Sequence, residues 1–588
     1  MNNQQIARVL AEVADVLEIR EENPFKIRAY QRAAQAVRSL PEELSSLRQR
    51  GPLTAISGIG KSIAEKIEEL LDTGQSQFHR ELLAEFPPSL VELLRIPELG
   101  PKTVALLHRE LAIDSVEELE RAARAGRLRD LRGMGPKTEE NILHGIERVR
   151  QHAKRMPLSA AHPHAEHLIA LLRERAPVDR IELAGSLRRM CEDIGDIDIL
   201  VTSDDPEAVM QAFLSLPDVV EVVGTGPTKS SVITDLGVQV DLRVLDPEDF
   251  GAAWQYFTGS KQHNIHLREL AVKHGLKISE YGVFQAKTDR RVAGRTEEEV
   301  YAALGMPCPP PEIRQDSGEI ELMLQGALPP LIEQADLRGD LQMHTRASDG
   351  RATVEEMAEA ARLLGYEYIG ITDHSKSRAI AKGLHEEDLL KQVEAIRSLN
   401  QRLDGITVLA GVECDIKRDG DLDYDDDILA QLDYVIAAIH SGFKMEEKAM
   451  TQRIVTALAN PYVDMFGHPT GRIIGERDPY ALDMEALMQA ALEHGVALEI
   501  NAFPDRLDLK DVHARRAQEL GIPLVINTDA HAPEHLALIQ YGVATARRAW
   551  VSRDHVLNTR PLAELCKSLR RNRAMTRAAA SRGRARRR

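Results

Sequence analysis

The chain has 588 residues, too many for one hydrophobic core, and length alone implies about three to five domains. Its composition (43% hydrophobic, 28% charged, 4% aromatic) is that of a folded, water-soluble protein, and no apolar run reaches membrane-spanning length. Four scattered cysteines (Cys191, Cys308, Cys414, Cys566) without a C-x-x-C pair exclude a disulfide frame and a thiolate zinc finger. They point to a reducing compartment, and the charged amphipathic start MNNQQIARVLAEVADVLEIREENP is not a signal peptide, so a cytoplasmic location is expected. The net charge of −17 does not exclude a nucleic-acid partner, because that needs local positive patches rather than a positive total.

Residues 1–150 are helical in pattern, and a short element recurs in them three times. The copies are ISGIGKSIAEKI from Ile56, IPELGPKTVALL from Ile96 and LRGMGPKTEENI from Leu131. Each is a Gly-hydrophobic-Gly hairpin opening a helix with an early lysine, except that Glu98 replaces the first glycine of the middle copy. Glycine permits the tight turn and close approach, and free N–H groups at a helix start cradle phosphate. These are helix-hairpin-helix elements. One alone could serve helix packing only; three favour contact with a nucleic-acid backbone through Gly58, Gly60, Gly100, Lys102, Gly133, Gly135 and Lys137.

From Gly185 to Leu200 the chain reads GSLRRMCEDIGDIDIL, and VQVDLRV follows from Val238. Asp196 and Asp198 lie in an apolar run with the period of a strand, so both carboxylates point to one face. Asp241 lies in a second such run, placed to converge with them. Three carboxylates of this kind suit hard divalent cations that share a substrate phosphate.

This pattern resembles the nucleotidyltransferase palm of family X DNA polymerases. The resemblance implies that Ser186 and Arg189 contact an incoming triphosphate. It extends to YFTGSKQHNIHLREL from Tyr256, where Tyr256, Phe257 and Gly259 would pack on the sugar and Asn264 on the base edge. Arg268 would lie near the template, and Lys261 stands where animal members carry an acid, implying an added nucleotide contact. Met190 replaces a glycine after the arginine pair. In this family the first hairpin domain binds a 5′ phosphate, and by position Lys66, beside Tyr30, is either a Schiff-base nucleophile for 5′-deoxyribose phosphate removal or a phosphate contact. Ser62 replaces a further lysine of that pocket.

The proline-rich stretch 305–330 reads as an ordered connector. From Gly339, short apolar runs alternate with amphipathic stretches, the rhythm of a parallel β/α barrel, with active groups at the C-terminal strand ends. Metal-type side chains fall there: His344, Asp349, His374, Glu413, His440, His468, Asp529 and His531. Mixed His and carboxylate ligation suits Zn²⁺ or Mn²⁺, and clustered metals suit phosphoester hydrolysis. This half resembles the polymerase-and-histidinol-phosphatase (PHP) domain. The resemblance assigns Gln342, His344, Glu413 and Asp529 to one ion, Glu413, His440 and His468 to a second, and Asp349, His374 and His531 to a third. Gln342 stands where histidine is commonest, a weaker ligand that leaves metal identity open.

The whole resembles the bacterial-type family X DNA polymerase with a C-terminal PHP domain. The expected fold is multidomain: an N-terminal helical domain (1–85), a helix-hairpin-helix subdomain (86–155), an α+β nucleotidyltransferase palm (156–245), a nucleotide-pocket subdomain (246–315), a linker (316–338), a distorted TIM-like β/α barrel (339–565) and a basic tail (566–588). The resemblance implies an enzyme that fills short gaps in gapped or nicked duplex DNA from deoxynucleoside triphosphates, and a monomer is the expected state because the sequence shows no dedicated association element. Two Mg²⁺ or Mn²⁺ ions would serve the palm, and up to three Mn²⁺ or Zn²⁺ ions a 3′→5′ exonuclease in the barrel. Abasic-site incision and 3′-phosphate removal are related options. The rival reading is a DNA-end-binding scaffold with a fused small-molecule phosphatase. The segment Lys567–Arg588, with ten Lys or Arg and no acid, reads as a basic arm with non-specific phosphate affinity or as a solubilising tail.

Overall fold

The computed structural model describes residues 1–569 except 2, 39, 41–42, 87, 97–98, 132–133 and 153–154. The basic tail beyond 569, Glu98 and Gly133 therefore lie outside the described residues. No helix among the described residues is long and apolar enough to cross a membrane.

The chain divides into two compact units, Met1–Arg155 with Leu236–Val238, and Met156–Asp235 with Gln239–Arg588. The first unit is helical. Its opening helix, Asn3–Ile19, buries Ile6, Leu10, Val13 and Leu17 at three- to four-residue spacing, together with Ala33, Ala34 and Val37 of the helix Pro24–Arg38. Burying each such leucine or isoleucine stabilises the unit by about 1.5–3 kcal/mol. The hairpins obey one rule: their central apolar residues Ile59, Leu99 and Met134 are buried in this core. Gly58, Gly60 and Gly100 are thereby turned outward, with Gly135 half-buried. Gly60 and Gly100 cap the helices Lys61–Thr73 and Pro101–Leu111 without a side-chain acceptor, and Gly135 precedes the helix Pro136–His152.

The second unit begins with a five-stranded sheet in the order Arg180–Leu183, Asp196–Thr202, Gln239–Leu245, Lys229–Thr234, Val219–Thr225. Asp196–Thr202 and Gln239–Leu245 run parallel; the other pairs are antiparallel. The helices Phe250–Thr258 and Lys261–Lys273 follow, then a small antiparallel sheet between residues 276 and 293. The connector also contributes to the core. Its helix Glu319–Gln325 buries Ile320 and Met323 against Leu267, Ala271 and Tyr301, because the pattern EIELMLQ places both on one helical face.

The remainder is the expected β/α barrel, built from two all-parallel sheets of three and five strands. Leu341, Tyr368, Leu409, Ile436, Met465, Ala497 and Val525, one from each of seven strands, fill its interior. Single parallel bridges at Met343–Ala530 and His374–Glu413 link strand ends of the two sheets. The ladder is thus distorted where ligand-type residues are densest.

Candidate active sites

In the palm, the strand Asp196–Thr202 alternates in burial over its first four residues, which puts Asp196 and Asp198 on one face, before running fully buried from Ile199 on. The parallel register sets Asp198 directly opposite Asp241. Asp241 accepts from Gln239 Nε2 at 2.7 Å and lies 3.2 Å from Lys229 Nζ. Burial, and then the neighbouring carboxylates of Asp196 and Asp241, push Asp198 up to about 7. A cation between these oxygens removes that repulsion, so the site fits divalent metal.

The Gly185–Arg188 helical turn packs on this strand. Gly185 has φ +64, and a Cβ there would collide with Asp198 Oδ2, so the glycine lets the phosphate-type turn sit directly on the carboxylate. Met190 also adopts a left-handed conformation, φ +51, which accounts for the glycine common at this place in the family. The arginine pair divides its work. Arg188 lies 2.7 Å from Glu297, 2.6 Å from Thr258 Oγ1 and over the Trp254 ring. Arg189 donates to the Thr258 carbonyl beside Gly259, with its Nε buried and without a hydrogen-bond partner. Ser186 is half-buried on the same turn.

Tyr256 and Phe257 meet edge to face at 5.2 Å, with the Arg243 guanidinium over Phe257. Lys261 is exposed at the start of its helix. Asn264 is engaged at both ends of its amide, donating to the Tyr256 carbonyl and accepting from Gln255, each at 2.7 Å; in this structure it braces Tyr256. Arg268 Nε donates to the Asn264 carbonyl at 3.2 Å.

In the barrel, Glu413 is central. Its Oε1 lies 2.7 Å from His468 Nε2 and 3.1 Å from His440 Nε2, and its Oε2 lies 3.2 Å from His374 Nδ1 and 3.4 Å from His344 Nε2. Burial opposes its ionisation, but His374, His440 and His468 hold the carboxyl well below its ordinary range. His344 Nε2 meets Asp529 Oδ1 at 3.0 Å, and Asp349 lies 3.5 Å from His374 and 3.4 Å from His531. Among the described residues of the barrel, three groups have ligand atoms within 4.8 Å of one another: His344, Asp349, His374 and His531; His374, Glu413 and His440; and His344, Glu413 and Asp529. His344, His374 and His468 also have buried Nδ1 atoms without hydrogen-bond partners, a donor set that fits divalent cations. The grouping differs from that implied by resemblance, since His344 also joins Asp349, and His374 also joins Glu413.

Gln342 sits fully buried at the floor of this site. With its amide nitrogen turned toward Glu499, it donates to both Glu499 oxygens, one of them at 3.2 Å. Glu499 is a site residue that sequence reasoning missed. It accepts from the His468 backbone N–H at 2.7 Å and from Asn527 at 2.8 Å, and burial and then Asp529 raise its carboxyl well above the ordinary range. Its signal was a lone acid inside the apolar strand ALEIN. Asp415, paired with His440 Nδ1, is a second such omission.

In the helical unit, Tyr30 stacks on Phe78 at 6.1 Å, and burial raises its hydroxyl to about 12. The Lys66 and Lys26 ammonium groups lie 5.1 and 5.4 Å from that ring, and Lys66 also donates to Ser62 Oγ at 3.2 Å. Phe78 and Lys26 lay outside the motifs read from sequence.

The fold and sites define a nucleotidyltransferase palm carrying helix-hairpin-helix modules and followed by a PHP barrel. Residues 1–76 match the helix-hairpin-helix domain family, 90–148 the SAM-like helix-hairpin-helix tandem, 253–315 the DNA polymerase beta thumb and 340–503 the PHP domain. The chain is 40% identical over 574 residues to the DNA polymerase/3′-5′ exonuclease PolX of Bacillus subtilis (strain 168), covering 97% of this chain and 100% of that protein. It belongs to the PolX family. Stretches of 232 and 236 residues are also 32% identical to probable phosphatases of Thermoanaerobacter sp. (strain X514) and Shewanella sp. (strain ANA-3), covering 37% and 38% of this chain and 90% and 89% of theirs. Domains of these kinds depend on divalent metal, in keeping with both carboxylate clusters.

Proposed function

We propose that this chain is a DNA polymerase that fills short gaps during DNA repair and also carries a 3′→5′ exonuclease in its barrel. The observation that carries the reading is the convergence of Asp196, Asp198 and Asp241 beside a glycine-supported turn, in one chain with a separate His and carboxylate cluster. Asp196 and Asp198 would hold Mg²⁺ or Mn²⁺ in the palm, and the barrel cluster Mn²⁺ or Zn²⁺. When bound, such ions supply Lewis acidity that favours attack by a hydroxyl or water and neutralises the leaving group. Asp241 orients the primer 3′ hydroxyl. Ser186 and Arg189 hold the triphosphate, and Tyr256, Phe257 and Gly259 pack on its sugar while Asn264 sets the pocket wall. In the barrel, Glu413 is shared between ligand groups, and Glu499 and Asp415 orient its neighbours.

The hairpins grip the DNA backbone through the N–H groups at the exposed Gly60 and Gly100 and the half-buried Gly135, with Lys102 and Lys137 beside them. Lys66, near Phe78 as Lys26 and Tyr30 are, meets the 5′ phosphate of the gap, either as a phosphate contact alone or also as the nucleophile of deoxyribose phosphate removal. The palm, pocket, connector and barrel act as successive domains of a monomer working in the cytoplasm.

The test uses a gapped duplex whose upstream primer is labelled at its 5′ end, with Mn²⁺ and deoxynucleoside triphosphates. The expected result is extension lost in Asp198→Ala alone and shortening lost in His440→Ala alone. Shortening that persists in His440→Ala would remove the exonuclease from the barrel, and wild-type protein that does not extend would refute the polymerase reading.

A further inference from the structure

The turn that carries Ser186 and Arg189 is not secured by the palm alone. Between Arg189 and Glu192 the chain passes from the Gly185–Arg188 turn toward the aspartate strand, and three cations of the barrel, Arg472, Lys510 and Arg548, reach this short stretch. Arg548, at the end of the helix Ile539–Arg548, donates Nη1 to the Arg189 backbone carbonyl at 3.1 Å. Its Nε and Nη2 hold Asp511 at 3.0 and 2.8 Å, and both side chains are only 14% exposed. Arg472, four residues beyond His468, donates Nη1 to Glu192 Oε2 at 2.9 Å. On the palm side the Glu192 carbonyl accepts from Leu158 N at 3.0 Å, and the Arg189 guanidinium is fixed to the Thr258 carbonyl.

The backbone of the triphosphate-binding turn is therefore held from one side by palm groups and from the other by the barrel. A guanidinium presents several donors in a rigid fork, so Arg548 can bind the Asp511 carboxylate and the Arg189 carbonyl together. A lysine ammonium at the end of a flexible stem keeps the charge for Asp511 but not that two-sided geometry. Small displacements of a group that aligns substrate are costly to the reaction even when they originate away from the reacting atoms.

We infer that Arg548 is a positioning residue for nucleotidyl transfer, a strut by which the barrel fixes the Ser186–Arg189 turn against the incoming triphosphate. The inference rests on the polymerase reading above. Its consequence is that the barrel serves polymerisation structurally, apart from any hydrolysis of its own.

The full-length chain is tested as wild type, Arg548→Lys and Arg548→Ala. Three quantities are measured on each: KM and kcat for one complementary deoxynucleotide on gapped DNA, the shortening rate of the same primer without nucleotide, and the thermal unfolding midpoint. Arg548→Lys is expected to raise the nucleotide KM by about two- to thirtyfold, the range for residues that couple packed elements. Its shortening rate and unfolding midpoint stay at the wild-type values. Arg548→Ala raises KM further and lowers the midpoint. An unchanged KM in both variants overturns the inference while leaving the polymerase reading intact. So does a KM change that only tracks loss of shortening and of stability. A wild-type chain unable to extend the primer overturns the polymerase reading itself, and the inference with it.

Discussion

Asp198 and Asp241 stand directly opposite each other on parallel neighbouring strands, where partial burial and the facing carboxylates oppose the charge of Asp198. Asp198→Asn should lower extension by more than the roughly 10–100-fold that loss of an outer-sphere partner costs. The same substitution should raise the thermal midpoint in the absence of divalent ions, because it removes a buried charge facing two others. Primer extension and calorimetry on metal-free protein check the two halves of this expectation; a lowered midpoint would show that Asp198 stabilises the fold.

Gly185 makes that arrangement possible. Gly185→Ala meets both a left-handed backbone, which costs about 1–2 kcal/mol for a side-chain-bearing residue, and Asp198 Oδ2 itself. Extension should be lost while primer shortening persists. Full extension by this variant would mean that the turn can move off the carboxylate without harm.

Glu297 is the shared anion between Arg188 and the fully buried Arg314, 2.7 Å from the former. Removing one partner of a buried pair typically costs about 3–5 kcal/mol, the expected loss for Glu297→Gln at pH 7. Burial opposes the charge, and the two arginines overcome it, taking the carboxyl from its ordinary 4.5 down to about 2. Because the folded-state value is depressed, the stabilisation is complete above pH 4.5 and is lost as the pH falls through the folded value. Denaturant unfolding of wild type and variant should therefore converge between pH 4.5 and 2. A gap that stays constant across this window would count against the ion pair as its cause.

Glu413 touches His344, His374, His440 and His468, so it belongs to more than one cation group. Glu413→Gln should reduce the metal content of the purified chain and abolish shortening, with extension preserved. Metal analysis beside the gapped-primer assay tests this. Unchanged metal content would mean that the imidazoles and the other carboxylates suffice.

Glu499 touches no substrate in the proposed mechanism but braces Gln342 and the His468 backbone. Glu499→Ala should slow shortening by about 10–100-fold, the usual effect of removing an outer-sphere partner, and leave extension unaffected. A variant with full exonuclease activity would reduce Glu499 to a packing residue.

Local chemistry was readable in the sequence because it is set by spacing. The i, i+2 aspartates share a face by strand period, the hairpin glycines free the N–H groups behind them, and ligand-type side chains gather at successive strand ends of a parallel barrel. The connector helix was less visible, since about two amphipathic turns among prolines look like loop until their partners Leu267 and Tyr301 are in place. Glu499 and Phe78 carried little signal, because an isolated acid in an apolar strand or an isolated aromatic has no period to mark it, whereas Asp415, two residues after Glu413 on one strand, shared the spacing that marked the palm aspartates.

By itself the sequence determined the kinds of groups present and the faces on which each element displays them, since both follow from covalent order and backbone period. Only the tertiary structure decided that Asp198 pairs in register with Asp241, that His344 and His374 each join two ligand groups, and that Arg548 closes on Arg189 across 359 positions of chain. Those relationships depend on how separate elements bury their apolar faces against one another. That register is a property of the packed whole, which no stretch of sequence encodes alone.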